Sequence, residues 1–175
     1  MRLFVGIEVD DAVKRYIYDV SMALKAKLGR MRASWVREEN YHITLMFIGE
    51  VPENEVDIID EKLSTIDASK FSITLNVLGS FGKPPRVLWL GVEENDTLRN
   101  LADQVNKLLG GDTSRFHPHI TLARIKSGVP RNFRDTLNTT KVRKATWDVD
   151  RFVLFKSTLS PNGSVYTPIK TYALK

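Results

Sequence analysis

Two histidines in this chain sit in identical company. His42-Ile43-Thr44-Leu45 and His119-Ile120-Thr121-Leu122 are the same tetrapeptide, and they hold two of the chain's three histidines. Strand side chains alternate, so in each copy His and Thr share one face while Ile and Leu share the other. Each copy therefore has a polar face and a core face, and packing about a pseudo-twofold axis would turn both polar faces to one groove. Free imidazole titrates near pH ~6.5, so close to neutrality one ring can be neutral while its neighbour is protonated. The neutral ring takes a proton from an attacking oxygen, and the protonated ring gives one to the leaving oxygen. Thr hydroxyls donate to non-bridging phosphate oxygens, whose charge the transition state must hold. Paired His and Thr thus suit displacement at phosphorus.

Two blander readings compete. Thr and Ile favour strands, and a single His on a half-exposed strand usually has no catalytic task; two identical copies in matching contexts are harder to explain that way. Zinc is the other. His117-Pro118-His119 places two imidazoles on one strand face, and His42 would be a third ligand, as catalytic zinc requires. That reading gives no role to either Thr or to the repetition, so no metal is expected and His117 reads as a supporting or surface residue.

The elements that must position these residues alternate between strand and helix and finish in strands. Leu3 to Val9 reads as a strand. Asp10 and Asp11 offer caps for a helix to about Leu28, with Val13, Ile17, Val20, Leu24 and Leu28 on one face and Gly29 as its stop. Trp35-Val36 begins an extended piece, and Tyr41 to Ile48 reads as a strand closed by Gly49. Strict alternation there puts Tyr41 and Phe47 on the core side with Ile43, unless a bulge intervenes. Pro52, Glu53 and Glu55 open a second helix. Phe71 to Val77 alternates as a strand, Gly79 to Pro85 reads as a turn, and Arg86 to Val92 as an apolar strand. A third helix spans Asp96 to Leu109, followed by a strand over Ile120 to Ile125 and a short helix over Arg131 to Leu137. Ala145 to Ser157, broken or bulged, and Val165 to Leu174 complete the set.

The chain has 175 residues, 42% hydrophobic and 27% charged, with a net charge of +5 and no cysteine. This composition excludes a disordered chain, a disulfide framework, a thiolate zinc site and a cysteine nucleophile. No apolar run approaches the roughly 20 residues that span a bilayer. Acidic residues arrive too early for a secretory signal, so a cytoplasmic location without membrane contact is the default expectation. The basic balance is compatible with a phosphate-rich partner.

On these residues the chain resembles the 2H phosphoesterase superfamily, and more closely the bacterial and archaeal RNA 2′,3′-cyclic phosphodiesterases, historically called 2′-5′ RNA ligases. Trp35-Val36 with Glu39 to Leu45 and Phe47 to Glu50 is similar to the family's first block, and Phe116 to Arg124 to its second. Gly79-Ser80-Phe81, Arg86 to Trp89, Ser157-Thr158-Leu159, Gly163 and Tyr166 also look familial. Tyr41 departs from the aliphatic residue more usual there. The resemblance implies an α+β fold over residues 1–175, a single domain of two intertwined, pseudo-symmetric antiparallel-sheet lobes with outer helices and a central groove. It implies hydrolysis of an RNA 2′,3′-cyclic phosphate to a 2′-phosphate without metal or other cofactor, with reversible 2′-5′ joining as an associated activity and a monomer as the working unit.

Carried over by residue, His42 and His119 become the acid–base pair and Thr44 and Thr121 the phosphate donors. His42 is assigned as the acid for O3′ and His119 as the base for water, an order the residues themselves leave open. Arg124 is expected at the phosphate, although simple alternation puts it opposite His119, so a twist or bulge is required. Trp35 and Phe81 are the candidate base-stacking residues, with core packing as the competing explanation for each. Arg30, Arg32, Lys83, Arg86, Lys126 and Arg131 are candidates for an RNA path. Two further readings remain: a 2H enzyme for small cyclic nucleotides or 2′-5′ oligonucleotides, and a non-catalytic RNA-binding module. The duplicated His argues against the last, because phosphate binding alone is better served by Arg or Lys.

Overall fold

Helix caps and apolar alternation resolve into nine strands and four α-helices in a computed structural model that describes residues 1–175. Strand β1 (Arg2–Glu8) leads to α1 (Asp11–Leu28), whose first turn is capped by the Asp10 carboxylate accepting from the amides of Ala12 and Val13. Gly29, at φ 57°, turns the chain out of α1. Next come β2 (Arg32–Trp35), a 3-10 turn at Glu38–Asn40, and β3 (His42–Glu50). The helix expected after Pro52 starts as a 3-10 turn, Glu53–Glu55, and continues as α2 (Val56–Ser64). Strands β4 (Phe71–Phe81) and β5 (Val87–Val92) form a hairpin. Then follow α3 (Asp96–Leu109), capped by the Asn95 side chain, β6 (His119–Ser127) and α4 (Phe133–Thr139). The chain closes with β7 (Thr146–Val149), β8 (Arg151–Ser160) and β9 (Gly163–Ala173).

Several boundaries differ from the sequence reading: the extended piece expected to begin at Trp35 ends there as β2, and the last helix starts at Phe133 rather than Arg131. Strand β4 runs on through Gly79 to Phe81, because the ladder to β5 continues there, Gly79 opposite Trp89 and Phe81 opposite Val87. The expected turn from Gly79 is thus confined to the residues after Phe81. The long segment from Ala145 breaks at Asp150, and its two pieces join different sheets: β7 pairs with β4, β8 with β1.

Both sheets are antiparallel. One has the order β3-β1-β8-β9 and the other β2-β6-β5-β4-β7. The core faces of both repeats enter one buried cluster, in which Ile43, Leu45, Ile120 and Leu122 pack with Ile17 and Leu24 of α1 and Leu101 and Val105 of α3. Each such side chain contributes about 1.5–3 kcal/mol by leaving water. The two His-bearing strands thus belong to separate sheets yet are anchored to one core, and β3 lies against β6. No helix is long and apolar enough to cross a membrane.

Candidate active site

Both repeat strands carry the same irregularity at the same place. In the ladder with β1, Gly6 faces Thr44 and Val5 faces Met46, so Leu45 is an extra residue in β3. In the ladder with β5, Trp89 faces Thr121 and Leu88 faces Ala123, so Leu122 is the extra residue in β6. A bulge reverses the parity of everything after it. The fifth residue after each His is therefore carried to the polar face: Phe47 in one strand, Arg124 in the other. The bulge anticipated for Arg124 is present. For Phe47 the core-side expectation is overturned: it is 66% exposed, and its ring centroid lies 6.1 Å from that of Phe4, which itself lies 4.8 Å from His42.

A bulge leaves a carbonyl outside the regular ladder, and the two strands satisfy it differently. Strand β6 is interior, and the Leu122 carbonyl accepts from the backbone amide of Val36 just past β2, at 2.8 Å. Strand β3 is an edge with no neighbour on that side, and the Leu45 carbonyl accepts from the Asn106 side chain of α3 at 3.0 Å. Asn106 is one of the few buried polar residues. It stands where a strand would otherwise be.

His42 is held from both ends. A carbonyl can only accept, so Nδ1–H donates to the Asn40 carbonyl, at 2.7 Å. That leaves Nε2 as the ring's acceptor, 3.1 Å from the Thr44 hydroxyl. Asn40 is itself tied down, its side-chain amide donating to the Ser164 carbonyl in β9, and Arg37 likewise reaches the Asn162 carbonyl in the β8–β9 turn. The ring is walled by Phe4 and by Tyr166, which meets it edge-on at 5.1 Å; Phe155 stacks on Phe4.

His119 repeats the arrangement. Its Nδ1–H donates to the His117 carbonyl, again two residues back, at 2.6 Å. Phe81 meets the ring edge-on at 5.1 Å, and Trp89 packs between His117 and Phe81. The indole lies over Gly79, where a Cβ would fall inside the six-membered ring. His117 and His119 have ring centroids 6.3 Å apart, and no third His, Cys, Asp or Glu completes a metal-holding group with them.

Burial favours the neutral form of both rings. It pushes His42 from 6.5 down to about 4, against the opposing pull of the Asn40 hydrogen bond, and the charges of His119 and Arg124 act in the same direction as burial. His119 is also lowered, first by burial and then by its neighbours His117 and Arg124, opposed by the bond to the His117 carbonyl. The charges of His119 and Arg124 reach His42, and that of Arg124 reaches His119 as well.

Of the residues selected from sequence, Thr44 bonds His42, Phe81 meets His119, and Arg124 and His119 act on His42, while Thr121 shares the strand face of His119. Trp35 stands apart. It faces Ala123 across the β2–β6 ladder, on the core side of the bulge, and packs against the hydrophobic core. Phe4, Asn40, Phe47, Trp89, Asn106 and Phe155 had not been singled out as site residues. Asn40, Phe47, Trp89 and Tyr166 do lie in segments that look familial.

A family model described as LigT-like phosphoesterase matches twice, over residues 7–89 and 90–166, so each match holds one of the two His-x-Thr strands. An RNA 2′,3′-cyclic phosphodiesterase of Archaeoglobus fulgidus is 34% identical over 98% of this chain and 99% of its own. One of Thermotoga maritima is 35% identical over 95% of this chain and 91% of its own. Among solved structures, apo LigT of E. coli superposes with a TM-score of 0.80 at 27% identity, covering 99% of this chain and 96% of that one. The same protein complexed with 3′-AMP gives 0.77 at 28% identity, over 99% and 96%.

Proposed function

Because the chain belongs to the LigT-like phosphoesterase family, we propose that it is an RNA 2′,3′-cyclic phosphodiesterase that opens the cyclic phosphate at an RNA end to leave a 2′-phosphate. The observation that carries this reading is the pair of histidines, each tethered through Nδ1 to the carbonyl two residues back and each on a face shared with a Thr. That tether fixes the tautomer, so both rings present Nε2 for proton transfer.

From the deeper desolvation of His42 we infer an order of proton transfer opposite to the one carried over from the family, in which His42 is the acid and His119 the base. His42 is the more strongly depressed ring, neutral in the free protein, and takes the proton of the attacking water. An anionic phosphate in the groove raises both pKa values by attraction, and the less depressed ring, His119, is the first to hold a proton there. Water oxygen bonds to phosphorus, the P–O3′ bond breaks, and O3′ leaves with the proton of His119. Thr44, Thr121 and Arg124 hold the charge on the non-bridging oxygens. With the 5′-hydroxyl of a second RNA end attacking phosphorus in place of water, the P–O5′ bond forms as P–O3′ breaks, and the same pair supports 2′-5′ joining; return attack by O3′ with departure of O5′ makes it reversible.

The test is turnover of a defined RNA ending in a 2′,3′-cyclic phosphate, in EDTA, with the product's phosphate position determined. A 2′-phosphate product is expected; no product, or a 3′-phosphate, overturns the reading. An activated leaving group in place of O3′ separates the roles, rescuing His119→Ala but not His42→Ala.

A further inference from the structure

Beside the repeat strands lies a cavity of about 310 Å³ that the acid–base pair does not use. It opens between the C-terminal end of α1 and the edge strand β2, and Lys25, Arg32, Lys126 and Trp35 line it over a floor of Leu28 and Met31. Its lining contains no carboxylate. None of the three cations forms an ion pair, although ten ion pairs occur elsewhere in the molecule. Three like charges held around one hollow repel one another, an arrangement that suits a multiply charged anion.

The cavity is joined to the site by the chain itself. Strand β6 carries Thr121, then Arg124, then Lys126, and its neighbour β2 carries Arg32 opposite Ser127 and Trp35 opposite Ala123. Five residues of strand, from Thr121 to Lys126, span roughly 16 Å, and since β2 is the sheet edge, a few nucleotides leaving the polar face and turning over that edge reach the cavity on the core side, where Trp35 stands. Trp35, half-buried at the rim, adds an aromatic surface of the kind on which unpaired bases stack.

We propose that this cavity is a subsite for the RNA strand upstream of the cyclised end, in which Lys25, Arg32 and Lys126 take backbone phosphates and Trp35 takes a base. The proposal rests on the cyclic-phosphate reading of the His pair for its direction, since a 2′,3′-cyclic end leaves only the 5′ side of the strand to be held. It gives the enzyme a preference for oligonucleotide ends over free cyclic nucleotides. It also gives Trp35 a ligand-facing place, apart from the catalytic centre.

The test compares two substrates, a nucleoside 2′,3′-cyclic monophosphate and a single-stranded oligoribonucleotide with the same end. The variant is the triple Lys25→Gln, Arg32→Gln, Lys126→Gln, all at exposed positions. The expected result is a KM for the oligonucleotide raised about tenfold or more by loss of charge-assisted contacts, with kcat/KM for the mononucleotide unchanged. Three lost phosphate contacts also flatten the plot of log binding constant against log salt by about 2. Equal effects on both substrates, or none on the oligonucleotide, overturn the subsite. Anisotropy with a labelled oligoribonucleotide bearing a 2′-phosphate end gives the same contrast without turnover. Wild-type protein that binds this RNA through the three cations but turns over neither substrate would refute the catalytic reading and leave the subsite standing.

Discussion

Replacing His42 by Gln should change how stability depends on pH. In the folded protein burial holds the ring at about 4, against 6.5 for the exposed side chain. Above pH 6.5 neither the folded nor the unfolded chain protonates it, and the group contributes nothing to the difference. As pH falls through 6.5 the unfolded chain takes up a proton that the folded chain refuses, so the unfolded state binds more protons and stability drops. The loss is complete once pH passes below about 4, where both states are protonated. Two and a half pKa units correspond to about 3 kcal/mol, a large share of the ~5–15 kcal/mol typical of a folded domain. Gln cannot titrate, so the variant lacks this component while sharing every other acid-sensitive group. Denaturant unfolding of both proteins at intervals from pH 8 to pH 4 should show the difference in unfolding free energy moving by about 3 kcal/mol in favour of the variant. A difference independent of pH would refute the idea that the ring is desolvated, and with it the argument that His42 is the base. The same depression places the acid limb of kcat/KM for the free enzyme below the ordinary imidazole value of 6.5, because activity is lost only as pH falls through the folded pKa of the base.

Substitution of His119 by Ala should lower kcat by about 10²–10⁴ while substrate binding, measured directly, is retained. Thr121→Val, which keeps the shape and removes the hydroxyl, should cost about 10²–10³ in kcat if the hydroxyl meets the developing charge, with Tm little changed. Asn106→Leu leaves the Leu45 carbonyl without its donor and should destabilise by about 1–3 kcal/mol; unfolding midpoints test this, with kcat expected to fall alongside as β3 loses its bulge. Gly79→Ala forces the Trp89 indole off its seat, at about 1–3 kcal/mol of overpacking, and should raise KM because that ring supports His117 and Phe81.

The repeated tetrapeptide could be read from sequence because the determinant is local: two-residue alternation separates His and Thr from Ile and Leu in any strand. The bulges are different. An extra residue in β3 or β6 is defined only against the partner ladder, Gly6 and Val5 for one, Trp89 and Leu88 for the other. Alternation therefore put Phe47 on the wrong side, while for Arg124 only the resemblance called for a bulge. Asn106 was invisible for the same reason, since its task exists because β3 lies at a sheet edge. The acid–base order depends on how deeply each ring is buried, which identical motifs cannot distinguish. Trp35 stands apart from the centre, which its aromatic type could not show, being common to cores and sites; its ladder partner, Ala123, shows it.

The sheet order has a consequence for how such a molecule can come apart. The first half of the chain supplies β1 and β3 to one sheet, whose other strands, β8 and β9, come from the second half. In the other sheet β2 touches only β6, and β7 closes on β4, so each half is threaded between strands of the other. The two repeats are therefore not separable modules. Cut in the loop after β5, the fragments would each carry one His of the catalytic pair and neither a complete sheet, and activity would return only when they met. Pairings as distant in sequence as β1 with β8 also close late and slowly in folding. The catalytic pair thus depends on long-range pairings that a truncated chain lacks.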